Sequence, residues 1–498
     1  MKKYFFLIAL TFLSVQLYAV DQVQNQIRVG LRHVYNFEMD KAAELFDNII
    51  KKHPADPRGY HYFSSIYLWK FLGSNDENDY KAFIRYSDFA ISMAEKSLEK
   101  NENDQTALFV LGANNGYRSI AFGKSEKFLE MIWSSKNSNS YLNDLIKLNP
   151  KFYDAYLGLG LFKFALSQVP STFKWALNMI GYSADNKEGI EYLVIAAQKG
   201  DLVKVEAEYY LSQIYSEFFS ENQKAEQLLK NLNQKFPANI LFAYSLAVTN
   251  MKLRDLRSAE KKLVKISNDK NENFSQIISY SNFLLGDVNF RRNNFLEAIE
   301  YYKIFLNSAK SNDYTGIASL RMGICYAMLG DENNSKIYFK NAGKGNLGLD
   351  DDIYAARRGK EFLTENLSEN DKFLIRVQNQ IENNQSQKAY DSLSAFIKND
   401  ANNKYLNVAL LFLADASFDL NKYDQSFYFA ELVTEMKFEN EKWVTPFAFY
   451  FLAKNSIEKK KYSEAIEYLK KAEKANDFDF ALKVSSLVRS LRNKISFN

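Results

Sequence analysis

The stretch NNFLEAIEYYK at 293–303 returns at 460–470 as KKYSEAIEYLK. Aligning Ala298 with Ala465 puts a small residue twelve positions earlier in both, Gly286 and Ala453, and a bulky one four positions later, Tyr302 and Leu469. Phe305 and Ala472 follow three residues on. This order constrains the fold more than any other feature. Two antiparallel helices that cross closely need small side chains where the backbones touch and large ones in the groove beside them. The register recurs at Gly30/Ala42 with Phe46 and Ile49, and at Ala247/Ala259 with Leu263 and Ile266. It recurs again at Gly323/Ser335 with Phe339 and Ala342, and at Ala414/Ser426 with Ala430 and Val433. KKHP (51–54), KLNP (147–150) and NQKFP (233–237) end helices at proline, which lacks a donor and disfavours helix in the residue before it.

These residues resemble the tetratricopeptide repeat, a helix–turn–helix unit with small residues at its eighth and twentieth positions and a bulky one at its twenty-fourth. The resemblance implies an all-α chain, a right-handed α-solenoid of about 10–12 helix pairs. Several spacings exceed the ordinary period, so the array is expected to be irregular. One block is expected over 20–345, with an irregular insert near 72–200, and a second over 346–498. Within the insert, GSNDENDY reads as a polar loop, 80–100 as a helix, and SSKNSNS (134–140) as an exposed turn. GKGNLGLDDD and TENLSEND, within 343–371, read as a soft boundary between blocks or as one long loop.

The segment 153–201 is the least repeat-like. Gly158 and Gly160 interrupt a helical pattern at about 1 kcal/mol each against alanine, unless close packing needs them. Pro170 suits the start of a helix and Gly181 its end. Gly181-Tyr182, Asp185 and Gly189-Ile190 resemble a segment of the eukaryotic inclusion-body clearance family, which also carries helical repeats; Ala184 and Lys187 depart from that pattern. The residues themselves read as a helical hairpin with glycine-permitted packing.

MKKYFFLIALTFLSVQLYAV has two lysines, a short apolar run and Leu17-Tyr18-Ala19 as a cleavage site. This is the pattern of a signal peptide over 1–19, too short to span a bilayer comfortably. No cysteine lies nearby to carry a lipid anchor. The net charge of +4 includes Lys2 and Lys3 and gives no global attraction to nucleic acid. Cys325 is the only cysteine, so no internal disulfide forms and a core built from 47% apolar residues must hold the fold. Export to a bacterial periplasm or cell envelope is expected, with membrane association only through partners.

The sequence offers no catalytic constellation. His33, His53 and His61 have no cysteines at metal-ligand spacing, and the acidic run at 350–352 lacks the later ligands of a calcium loop and suits a helix start. No cofactor and no enzymatic activity are expected. Most of the 40 Phe and 32 Tyr must be core. In the resembled repeat, positions two, five, nine, twelve and thirteen face an inner groove. They fall on Phe283, Asp287, Phe290 and Arg291; on Asp415, Phe418 and Asp419; and on Tyr450, Lys454 and Glu458. Rings beside charges suit a groove for a protein segment, rings for affinity and charges for register. A protein-binding scaffold of the envelope is therefore expected. The alternatives are an accessory subunit with an aromatic trough for lipid or glycan, and a hydrolase using Asp185.

Overall fold

The computed structural model describes residues 22–168, 186–270, 274–399, 404–439 and 441–497. Among them run twenty-four α-helices and no strand. The expected signal peptide over 1–19, Pro170, Gly181, Tyr182, Ala184 and Asp185 lie outside the described residues. One compact unit comprises the chain to Leu211 with Leu228–Phe242 and Asn271–Ser275; the other comprises Ser212–Gln227, Ala243–Lys270 and Gln276–Asn498.

The first unit holds α1 (22–35), α2 (Met39–Lys52), α3 (Pro57–Ser74), α4 (Glu77–Lys100), α5 (Gln105–Lys124), α6 (Phe128–Leu148), α7 (Ala155–Ser167) and α8 (Asn186–Lys199). Helices α9 (Lys204–Phe219), α10 (Asn222–Lys235) and α11 (Ile240–Lys252) have residues in each unit. The second unit continues with α12 (Leu256–Ser267), α13 (Ser275–Arg291), α14 (Phe295–Ser308), α15 (Thr315–Met328), α16 (Glu332–Asn341) and α17 (Asp350–Glu365). It ends with α18 (Glu369–Glu382), α19 (Ser386–Asn399), α20 (Leu406–Asp419), α21 (Tyr423–Glu435), α22 (Val444–Glu458), α23 (Tyr462–Lys474) and α24 (Ala481–Phe497).

The small-residue register marks real hairpins. In all six, the residue seven positions after the first small one is left-handed: Phe37, Arg254, Asn293, Gly330, Asn421 and Lys460, with φ from 58° to 82°. A left-handed residue there turns the chain and lets the next N–H reach back to a carbonyl five residues earlier. Those bonds are present, as in Asn294 N to Asn289 O and Lys461 N to Ser456 O, at 2.9 and 2.8 Å. The turn fixes which faces of the two helices meet, and the small residues let them touch. A β-carbon on Gly323 would lie 2.5 Å from the Phe339 ring, and one on Gly30 would clash with Phe46. Ser426, at a small position, uses its size differently, donating from Oγ to the Ala414 carbonyl at 2.8 Å.

Sequence reading passed over one further hairpin. Asn384 is left-handed at φ 56°, and Ala389 and Leu393 behind it are fully buried. Its first small position is occupied by Val377, which hid the pattern.

Two expectations for the insert are corrected. SSKNSNS is not an exposed turn but the middle of α6, where Ser134 and Ser138 are buried on one face with Leu142 and Leu145. Serines four apart are small enough to pass neighbouring glycines: a β-carbon on Gly116 would stand 3.3 Å from Ser138 Oγ. GSNDENDY is likewise almost all helix. Left-handed Asn75 and the cap Asp76, which accepts from Asn78 N at 2.7 Å, are the whole turn between α3 and α4.

The hairpin reading of 153–201 is met by α7 and α8. A β-carbon on Gly160 would lie 2.9 Å from the Gly189 carbonyl oxygen, and one on Gly189 equally near Phe164 N. In 343–371, α17 packs on α15 and α16. Asp352 of the acidic run is buried and accepts from Ile317 N at 2.8 Å and Asn346 N at 2.9 Å.

Candidate protein-binding surface

The residues expected to line a groove lie on the first helices of three hairpins of the second unit, α13, α20 and α22. Phe283, Asp287, Phe290 and Tyr450 are each less than a tenth exposed. They do not form an open, solvated lining. Phe283 and Phe290 pack in the core around Tyr302 and Phe305. Asp287 accepts from Tyr302 Oη at 2.6 Å and pairs with Arg321, whose guanidinium also sits 5.9 Å from both Phe rings.

The other groove residues are engaged by side chains of this same chain. Arg291 donates to Glu382 at 3.0 Å. Asp415 accepts from Arg254 Nη2 at 2.8 Å, and Asp419 pairs with Arg254 Nη1 and accepts from Ser386 Oγ at 2.8 Å. The Lys454 ammonium stands 3.7 Å over the Phe418 ring centre, with Phe451 at 5.0 Å and Tyr450 at 5.7 Å. Burial beneath these rings pushes the amine down to about 8, against the pull of Asp415. Glu458 lies 3.9 Å from Lys494. The repeat pattern places these ten residues on the first helices of their hairpins. It could not show that Arg254, 161 residues before Asp415, returns to meet it.

The first unit carries an exposed apolar surface. Phe128, Leu129, Ile132 and Trp133 open α6 and are 59–73% exposed. Together they expose on the order of 500 Å² of side chain, within the range of the largest patch a monomer carries. Trp133 also walls a cleft of about 360 Å³ with Ile91, Leu111, Phe122, Arg118 and Tyr141. FLEMIW is apolar at every position but the third; Met131 packs on the core while the other four apolar side chains face outward, and only three-dimensional context tells outward from inward.

The first unit also buries acids. Glu206 is 3% exposed and accepts from Tyr117 Oη at 2.7 Å and Tyr35 Oη at 3.3 Å. Burial raises its carboxyl to about 7, the tyrosine hydrogen bonds only partly offsetting this. Asp154 caps the turn before α9 through Asp201 N at 2.6 Å and Leu202 N at 3.1 Å, and burial raises it to about 6. His61, against Asn114 Oδ1 at 3.3 Å, is pushed down to about 4 by burial and stays neutral. None of these side chains lines the cleft beside Trp133. Cys325 is fully buried, and burial pushes its thiol up. Among the described residues, no group of three or more His, Cys, Asp or Glu could hold a metal ion, and no helix is long and apolar enough to cross a membrane.

The family model described as Iml2/Tetratricopeptide repeat protein 39 matches residues 80–386, and the chain belongs to that family. The match covers 153–201, so both resemblances read from the sequence hold. No curated protein sequence matches the chain. Among solved structures, the TPR domain of P58(IPK) is 14% identical, covering 82% of this chain and 94% of its own, with a TM-score of 0.21. A tetratricopeptide repeat protein from Parabacteroides merdae is 15% identical over 58% of this chain and 99% of its own, TM-score 0.26. Yeast Tom70 is 14% identical over 95% and 96%, TM-score 0.23.

Proposed function

We propose that this member of the Iml2/Tetratricopeptide repeat protein 39 family is a non-enzymatic scaffold that holds a segment of another protein on the inward helices of its second unit. One observation carries the reading. On α20 and α22, acids (Asp415, Asp419), rings (Phe418, Tyr450) and a cation (Lys454) alternate on one face, and each acid or ring there already binds a cation of this chain. A face that takes arginine on its carboxylates and lysine on its rings has the chemistry to take them from a partner. We propose further that the signal-peptide pattern over 1–19 directs export and that the partner belongs to a bacterial cell envelope.

The test is cross-linked capture from an envelope extract, comparing the wild type with Asp415→Lys/Asp419→Lys. The reading expects a protein retained by the wild type and lost from the variant, whose circular dichroism is unchanged. Extraction of lipid or glycan in place of protein would overturn it. That outcome would favour the second reading, an apolar-ligand accessory subunit, for which the exposed start of α6 and the cleft beside Trp133 are the supporting observations. Sequencing the N-terminus of chain recovered from the periplasm tests export, with Val20 expected first.

A further inference from the structure

Within the second unit the buried apolar side chains fall into separate clusters. One runs from Phe283 to Leu367 and another from Leu374 to Leu491. A smaller one joins Ala247 and Leu263 to Leu285 and Val288. Beyond Leu367, Ile375 still packs on the first cluster, but the other contacts across this division are mostly ionic, and the ions are sorted by sign. Arginines come from the part before Leu367 and carboxylates from the part after it.

Arg254 reaches Asp415 at 2.8 Å, Asp419, and Glu382 at 3.9 Å; Arg291 reaches Glu382 at 3.0 Å. Arg357 meets Asp479 at 2.6 Å and Glu441 at 3.0 Å. Arg358 meets Glu441 at 2.9 Å and Asp371 at 3.1 Å. All four arginine side chains are 15–23% exposed, so water screens them only in part. The reverse pairing, Lys404 near Glu365 at 3.8 Å, is mostly in solvent.

Hydrogen bonds complete the seam. Asn379 Nδ2 donates to the Phe290 carbonyl at 2.8 Å and to Asn293 Oδ1 at 2.9 Å. Where the last helix meets the turn after α9, Ser220 and Ser490 hydroxyls lie 2.7 Å apart and Asn493 donates to the Phe218 carbonyl at 2.9 Å. Ring contacts across the seam include Tyr354 with Phe480 and Phe219 with Phe497, at 4.8 and 5.0 Å.

A junction of this composition behaves unlike a shared core. Separated apolar faces stay costly in water, whereas separated ions and amides are rehydrated, so a charged seam opens at small net cost. Each half keeps an apolar cluster of its own, and the contacts between the halves are mostly polar.

We infer that this seam is a clasp. The two halves of the second unit part along it as intact pieces, and parting lifts Arg254 from Asp415 and Asp419. The acids of α20 and the Phe418 ring beside them are thereby offered to a partner, and the chain's own arginine is their occupant in the closed form. What opening is for rests on the scaffold reading; that the clasp opens does not.

Hydrogen exchange read by mass spectrometry on the full chain tests the opening. Raising salt to about 1 M, where the Debye length falls to about 3 Å, should speed exchange about tenfold in α18, α20 and the turn at 290–294. Helices α14 and α23, which carry none of the seam pairs, should not change. Arg254→Glu should reproduce the effect at low salt. Ser220→Cys/Ser490→Cys, oxidised to a disulfide, should exchange more slowly along the seam than its reduced form and identically elsewhere. Uniform acceleration in salt, or no difference between oxidised and reduced chains, overturns the clasp. Partner binding by the same pair separates the two readings. Equal binding by oxidised and reduced chains contradicts the gate and keeps the scaffold. Binding by neither contradicts the scaffold and leaves the exchange result standing.

Discussion

The Tyr302 ring rests against the bare backbone of Gly286, 2.5 Å from where a β-carbon would stand. Tyr302 is fully buried, and its hydroxyl is tied to Asp287 at 2.6 Å, so the ring has nowhere to retreat. Gly286→Ala gains up to about 1 kcal/mol of helix propensity. It forces an overpacked contact costing about 1–3 kcal/mol, and the net effect should be a lower melting temperature of the second unit. Adding Tyr302→Leu, the residue found at the matching position 469, should restore part of the loss. A Gly286→Ala chain as stable as wild type would contradict the interlock.

Ser426 Oγ donates to the Ala414 carbonyl at 2.8 Å and accepts from Asn455 Nδ2 at 2.9 Å. Alanine fits the space, as Ala465 shows in the equivalent position, but removes one hydrogen bond from each of two buried groups, although Asn455 Nδ2 still donates to the Phe451 carbonyl at 2.8 Å. Urea denaturation of Ser426→Ala should show a loss of about 1 kcal/mol. Ala453 and Ala465 have no such bridge, so Ala465→Ser should give no matching gain.

Glu206 has a folded carboxyl raised from 4.5 to about 7. The folded chain therefore holds this proton more tightly than the unfolded chain. Its protonated form is fully compatible with folding below pH 4.5. Between pH 4.5 and about 7 the unfolded state ionises first and stability falls, by about 3 kcal/mol in all from this group. Asp154, raised to about 6, acts in the same direction. Glu206→Gln still accepts from Tyr117 and cannot ionise. At pH 8 it should melt above the wild type, with the difference vanishing near pH 4. An unchanged difference across that range would contradict the burial of the carboxyl.

Ile132 and Trp133 are 59% and 62% exposed on α6, Trp133 at the edge of the cleft it shares with Leu111 and Phe122. Ile132→Ser/Trp133→Ser should leave the unfolding free energy within about 0.5 kcal/mol of wild type while lowering self-association at high concentration. A large loss of stability would mean that these side chains are packed.

The hairpins were legible because their requirement is local. A small residue, a left-handed turn seven positions later and a small residue five beyond that all sit within one repeat. The Val377/Ala389 hairpin escaped because valine replaces the first small residue and its Asn384 turn carries no sequence pattern of its own. The middle of α6 escaped because Ser134 and Ser138 belong to turns by composition and to a tight helix face by spacing. The repeat register gave the positions expected to face a groove, but not the side chains of this chain that engage them. Arg254 and Asp415 are 161 residues apart, and nothing in either neighbourhood announces the other.

The account stands most directly on what touches Phe418. A photo-crosslinking residue placed there, in the full chain exposed to envelope extract, should yield a protein adduct, and the same residue at Trp133 should yield none in common with it. The account is contradicted if position 418 gives no adduct, or if the protein captured at 418 is captured equally at 133.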